Sequence, residues 1–170
     1  LFHWPSSIPE PSLLLDFYSS TFSFSDNLVR TMLIDRHDNF WLASKSHGAY
    51  LWHRNTTKFQ QIDAKTHQLS HETVYSLIQD KKGKLWIGTR NGLNAFEPKS
   101  GKIEQHFVSE NPRSSRTAGR IYQIVLKSDG NLWLSTGIGL VHFDPETGSQ
   151  LPLKTKDQQD RERLAIRSWD

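Results

Sequence analysis

Tryptophan stands at the centre of three short apolar runs in this chain, Phe40-Trp41-Leu42, Leu85-Trp86-Ile87 and Leu132-Trp133-Leu134. The indoles are 45 and 47 positions apart, and everything around them repeats with the same period. Before each run comes a turn: Asp35-Arg36-His37-Asp38, Asp80-Lys81-Lys82-Gly83 and Lys127-Ser128-Asp129-Gly130. After each comes a third strand that closes on an aromatic residue, Trp52, Phe96 or Phe143. A repeat of about 40–45 residues with four short strands per unit reads as a stack of blades around an axis, because one four-stranded sheet cannot bury both its faces alone. The fold class expected is therefore all-β, a β-propeller fragment of about three complete antiparallel blades with partial blades at both ends. Each repeated Trp is expected to wedge between neighbouring blades.

The clearest copy is residues 74–96, VYSLIQDKKGKLWIGTRNGLNAF. Val74, Ser76 and Ile78 alternate with Tyr75, Leu77 and Gln79, the period of a strand. The Asp80 carboxylate can accept backbone N–H bonds in the turn that follows, and Gly83 can take positive φ. Asp80 is expected to cap its own turn and not to serve as a general base, since no second carboxylate has a fixed spacing to it.

The same alignment divides the whole chain. Residues 1–18 read as a partial blade, 29–62, 74–108 and 120–153 as three complete blades, and 164–170 as the first strand of another. All 170 residues form one partial propeller domain on this reading. A chain that starts and ends within a blade is expected to be a piece of a larger ring, or to close by pairing with another copy of itself. Polar connectors over 63–73 and 109–119 join the blades. Turns with Pro early and Gly late, Glu97-Pro98-Lys99-Ser100-Gly101 and Asp144-Pro145-Glu146-Thr147-Gly148, precede the outer strands.

Composition narrows the function. The net charge is +3, but the 21 basic residues are spread among turns and mixed with 18 acids, so there is no electrostatic footprint for nucleic acid. The chain has no cysteine, which removes disulfides and thiolate zinc sites. No apolar run is long enough to span a bilayer. No G-x-S-x-G elbow supports serine catalysis. His67 and His71 stand at i and i+4 beside Glu72, but the order is not H-E-x-x-H and the stretch falls in a connector, so they are read as loop histidines and no metal or cofactor is expected.

The pattern D-x-x-G-x-L-W-I-G-T-x-x-G-L-x-x-F, carried in full by Asp80, Gly83, Leu85, Trp86, Ile87, Gly88, Thr89, Gly92, Leu93 and Phe96, resembles the two-component regulator propeller repeat. The third blade departs from it with Lys127 in place of the Asp, and the first keeps Asp35, Trp41, Gly48 and Trp52 with one extra residue before Gly48. The resemblance implies the periplasmic sensor region of a bacterial inner-membrane receptor whose output is a histidine kinase or a diguanylate cyclase, joined to the membrane only through segments outside these residues. It implies an extracytoplasmic ligand-sensing module, not itself an enzyme, that binds a small molecule or oligosaccharide. Two alternatives stand beside it: a propeller enzyme of lyase type and a protein-binding scaffold.

In propeller topology the second-to-third turns and the connectors share one face, and binding residues concentrate on loops that a rigid scaffold positions. On that face Arg90, Asn91, Lys45, His47 and Arg120 can offer hydrogen bonds to hydroxyls or a carboxylate, with Tyr75 and Tyr122 as stacking surfaces near the channel. The plainer reading of each is a solvated loop residue.

Overall fold

A computed structural model describes residues 29–53, 59–106 and 119–152. The partial blades expected over 1–18 and 164–170 lie outside the described residues, as do 54–58, 107–108 and 153 of the expected complete blades. The described chain forms three four-stranded sheets. Blade 1 is β1 (Val29–Ile34), β2 (Phe40–Ser44), β3 (Ala49–Trp52) and β4 (Phe59–Ile62). Blade 2 is β5 (Val74–Gln79), β6 (Leu85–Thr89), β7 (Gly92–Glu97) and β8 (Lys102–His106). Blade 3 is β9 (Ile121–Leu126), β10 (Leu132–Thr136), β11 (Gly139–Asp144) and β12 (Ser149–Leu151). Within every blade the strands pair antiparallel in chain order, the all-β propeller arrangement that the repeat implies. The first strands are the inner ones: β1 packs against β5, and β5 against β9.

The core lies between blades, and this explains the apolar run around each Trp. Along β6 successive side chains point to opposite faces. Leu85 and Ile87 join Trp41, Leu51 and Phe96 between blades 1 and 2, while Trp86 joins Leu132, Leu134 and Phe143 between blades 2 and 3. Every residue of β6 is buried, so alternation of polar and apolar side chains would leave polar groups in a core. The wedges are edge-to-face aromatic pairs, Trp41 on Phe96 at 5.4 Å and Trp86 on Phe143 at 5.8 Å between ring centroids. Such geometry contributes about 0.5–1.5 kcal/mol beyond the area it buries.

The turn preceding each Trp is tied to it. Asp80 Oδ1 accepts the backbone N–H groups of Lys82 at 2.9 Å and Lys84 at 3.0 Å, and Oδ2 accepts the Trp86 indole N–H at 2.9 Å. Asp35 does the same in blade 1, with His37, Asn39 and the Trp41 indole. Burial works against the Asp35 carboxylate, but the Trp41 and Asn39 donors outweigh it and hold the carboxyl below the ordinary aspartate range. Asp80 thus caps its own turn and also anchors the wedge. Blade 3 has Lys127 at this position; Trp133 there is only partly buried and stacks on His142, with centroids 4.5 Å apart and planes 20° from parallel.

These turns also clamp blade to blade. The Arg36 guanidinium donates to the carbonyls of Asp80 and Lys81 in blade 2, and the Lys81 ammonium donates to the carbonyl of Ser128 in blade 3. The face carrying them reads as scaffold. The described residues contain no helix long and apolar enough to cross a membrane.

Candidate functional site

At the other end of the inner strands the connectors enter the blades. Each blade opens there with the same irregularity of register. Val29 pairs with Ser44 and Thr31 with Ala43; Val74 pairs with Thr89 and Ser76 with Gly88; Ile121 pairs with Thr136 and Gln123 with Ser135. One residue is left over in every case: Arg30, Tyr75 or Tyr122. A bulge of this kind leaves its extra residue outside the ladder and re-aims the side chain. The three bulged residues touch in sequence around the axis. Arg30 Cζ lies 5.4 Å from the Tyr75 ring centroid, and the Tyr75 and Tyr122 rings are 5.3 Å apart with planes 51° from parallel. The Arg120 guanidinium then donates to the Tyr122 hydroxyl at 3.4 Å. Both tyrosines and Arg120 are half-buried, whereas Arg30 is exposed.

Three of the residues expected from sequence, Tyr75, Tyr122 and Arg120, therefore come together, and a fourth adjoins them. A side chain built at Gly119 would meet Asn91 Oδ1 at 3.1 Å, so the connector reaching Arg120 passes directly against Asn91. Asn91 is held by its N–H to Thr89 Oγ1 at 3.0 Å. Arg90 is exposed, with its backbone N–H on the Thr73 carbonyl at 3.0 Å. Burial, reinforced by the Arg90 charge, pushes the His71 imidazole below its ordinary value, with Glu72 opposing. Lys45 and His47 occupy the second-to-third turn of blade 1. The hydrogen bonds described for His47 fall within that blade: its N–H donates to Ser44 Oγ at 2.8 Å, its ring meets Ser46 Oγ at 3.2 Å, and its carbonyl accepts from Gln61 at 3.0 Å.

Arg30 is the member that sequence reasoning missed. The available signal was its alignment: it stands second in its inner strand, as Tyr75 and Tyr122 do in theirs.

The connector over 63–73 is internally braced. Thr66 donates its N–H and hydroxyl to Asp63 Oδ1, each at 2.7 Å. Burial works against the Asp63 carboxylate, but these bonds outweigh it and keep the carboxyl below the usual range. His67 Nδ1 meets Thr66 Oγ1 at 2.6 Å, and His71 Nδ1 accepts the Thr73 N–H at 2.8 Å. Each ring is thus held within its own loop. Among the described residues no group of three or more His, Cys, Asp or Glu side chains is arranged to hold a metal ion. Asn94, fully buried in β7, seats the connector by accepting the Ser70 N–H at 2.9 Å and donating to Ser70 Oγ at 2.8 Å.

Residues 68–91, which run from this connector through β5 and β6 to Arg90 and Asn91, match the family model of the two component regulator propeller. The chain carries the two-component regulator propeller repeat. A histidine kinase named P4 from Formosa agariphila is 45% identical over 47 residues, which make up 28% of this chain and 3% of the kinase. Among solved structures, the extracellular domain of BT4673 from B. thetaiotaomicron, described as a hybrid two-component system, superposes with a TM-score of 0.65 at 24% identity, covering 78% of this chain and 17% of that one. The extracellular domain of BT3049 from the same organism gives a TM-score of 0.60 at 27% identity, covering 75% and 17%. The chain spans only a small part of the length of each of these relatives.

Proposed function

We propose that this chain is part of the extracytoplasmic sensing region of a bacterial two-component receptor, and that it binds a small molecule or oligosaccharide without transforming it. The observation that carries the reading is the pair of half-buried tyrosines, Tyr75 and Tyr122, in contact across adjacent blades and flanked by Arg120. Aromatic faces beside hydrogen-bond donors suit the apolar face and hydroxyl rim of a sugar ring. The extracellular domains of BT4673 and BT3049 lend support for the location and for a sensing role, which would place these residues on the periplasmic side of the inner membrane.

A propeller of this kind signals by population shift: a ligand bridging two blades favours the arrangement in which both hold it. Its partners are then the remaining blades of the receptor or a second copy of the chain. The kinase or cyclase output belongs to segments beyond these residues. His67 and His71, each tied within the connector, lend no support to a lyase alternative.

The test is a thermal-shift screen of the chain against mono- and oligosaccharides, repeated with Tyr122→Leu. A reproducible rise in Tm with one sugar class, lost in the variant, is the expected result. A rise that survives the substitution would contradict this site, and no rise with any sugar would contradict sugar sensing by this chain.

A further inference from the structure

The bulge in each inner strand brings one side chain per blade to a common line, and those side chains combine positive charge with aromatic surface. Blade 1 supplies a guanidinium, blades 2 and 3 supply phenol rings, and the residue just before β9 supplies a second guanidinium. Arg30 lies over the Tyr75 ring, Tyr75 contacts Tyr122, and Arg120 donates to the Tyr122 hydroxyl. Two permanent positive charges thus accompany two aromatic faces.

We infer that these four residues form one binding site whose ligand is a ring-bearing carboxylate, a sugar acid, held by its ring against Tyr75 and Tyr122 and by its carboxylate on Arg30. This rests on the ligand-sensing reading above and deepens it. The assignment of Arg30 follows from its two faces. Its contact with the Tyr75 ring is within cation–π range, which orients the guanidinium plane, while its exposure leaves that fork open for bidentate pairing with a carboxylate. Arg120 is partly buried and engaged with the Tyr122 hydroxyl, so its part is to hold that ring and to add positive potential. In water-exposed surroundings a neutral sugar would gain little from Arg30, whereas a carboxylate gains a charge-assisted pair. Selectivity for the acid therefore resides in blade 1, and affinity for the ring in blades 2 and 3.

The experiment is calorimetric titration of the chain with glucuronate and with glucose, and with the corresponding acidic and neutral oligosaccharides, in wild type and Arg30→Gln. Arg30 is exposed, so the substitution leaves the fold intact. The expected result is that the acid binds about tenfold tighter than its neutral counterpart, a charge-assisted pair being roughly that favourable. The preference should disappear in Arg30→Gln and shrink with added salt. Neutral sugar binding as tightly as the acid, or a preference that survives Arg30→Gln, would overturn the inference while leaving the sensor reading standing. Binding of neither class would overturn both.

Discussion

The Trp86 indole donates to the carboxylate of Asp80, six residues earlier, across 2.9 Å in the buried joint between blades 2 and 3. One carboxylate thereby closes a turn and sets the orientation of the wedge. Replacing Asp80 with Ala would leave the indole N–H and two backbone N–H groups without their acceptor. A loss of about 2–4 kcal/mol is expected, since each buried donor left unmet costs roughly 1–3. Lys127 holds the same position in blade 3, but among the described residues its ammonium meets Asp129 Oδ2 at 2.6 Å and His142 Nε2 at 3.5 Å, near the surface, and not the Trp133 indole. Lys127→Ala should therefore cost under about 1 kcal/mol. Urea unfolding of both variants checks the contrast, and equal costs would contradict the anchoring role.

Gly88 lies where the inner strand of blade 3 crosses blade 2. A β-carbon there would sit 2.4 Å from Ser76 Oγ and 2.9 Å from both Cγ2 and O of Ile121. Backbone cannot yield as a side-chain tip can. Gly88→Ala should destabilise by roughly 1–3 kcal/mol through overpacking. Gly101→Ala meets no atom within 4 Å, and its φ of +69° is its sole difficulty, an expected cost of about 1 kcal/mol. Thermal melts of the two variants should rank Gly88→Ala as the more damaging.

The His106 ring packs against both Trp86 and Phe143, with each centroid 5.5 Å away. Its Nε2 is buried and has no hydrogen-bond partner among the described residues. Burial pushes the imidazole below its ordinary value of 6.5, with Glu104 opposing and Lys84 assisting. The folded state thus binds this proton less readily than the unfolded state, and stability rises with pH across the interval between the two values. The contribution is fully present above about pH 6.5 and is lost as the pH falls below it. His71, also lowered, acts with the same sign. Tm should fall from pH 7.5 to pH 5, and the fall should be smaller in His106→Phe. An unchanged pH profile in that variant would contradict the assignment.

Much of this architecture is legible in the sequence because the repeat carries its own punctuation. The turn at Asp80 and Gly83, the run around Trp86 and the aromatic closure at Phe96 each mark a strand or its end, and all recur. The bond from Trp86 to Asp80 was hidden, because a hairpin folds residues six apart onto one carboxylate and the turn alone accounts for the Asp. Replacement of Asp by Lys127 in the blade whose Trp133 lies partly open was the available sign. Tyr75 and Tyr122 could be placed near the channel because they stand second in their inner strands, and their rings marked them as stacking surfaces. Arg30 shares that alignment, but the bulge that brings it onto Tyr75 is a property of register that residue type does not announce. Lys45 and His47 share the face by topology, but the bonds described for His47 hold it within blade 1.

The most direct test of the sensing account is a titration of the isotopically labelled chain with the oligosaccharide panel, followed by NMR of the Tyr75 and Tyr122 ring resonances. The account predicts saturable shifts of both rings and of the Arg30 side chain, with the Asp80 to Gly83 turn on the opposite face unmoved. Saturable shifts confined to that turn, or none at any ring with any sugar, would contradict it.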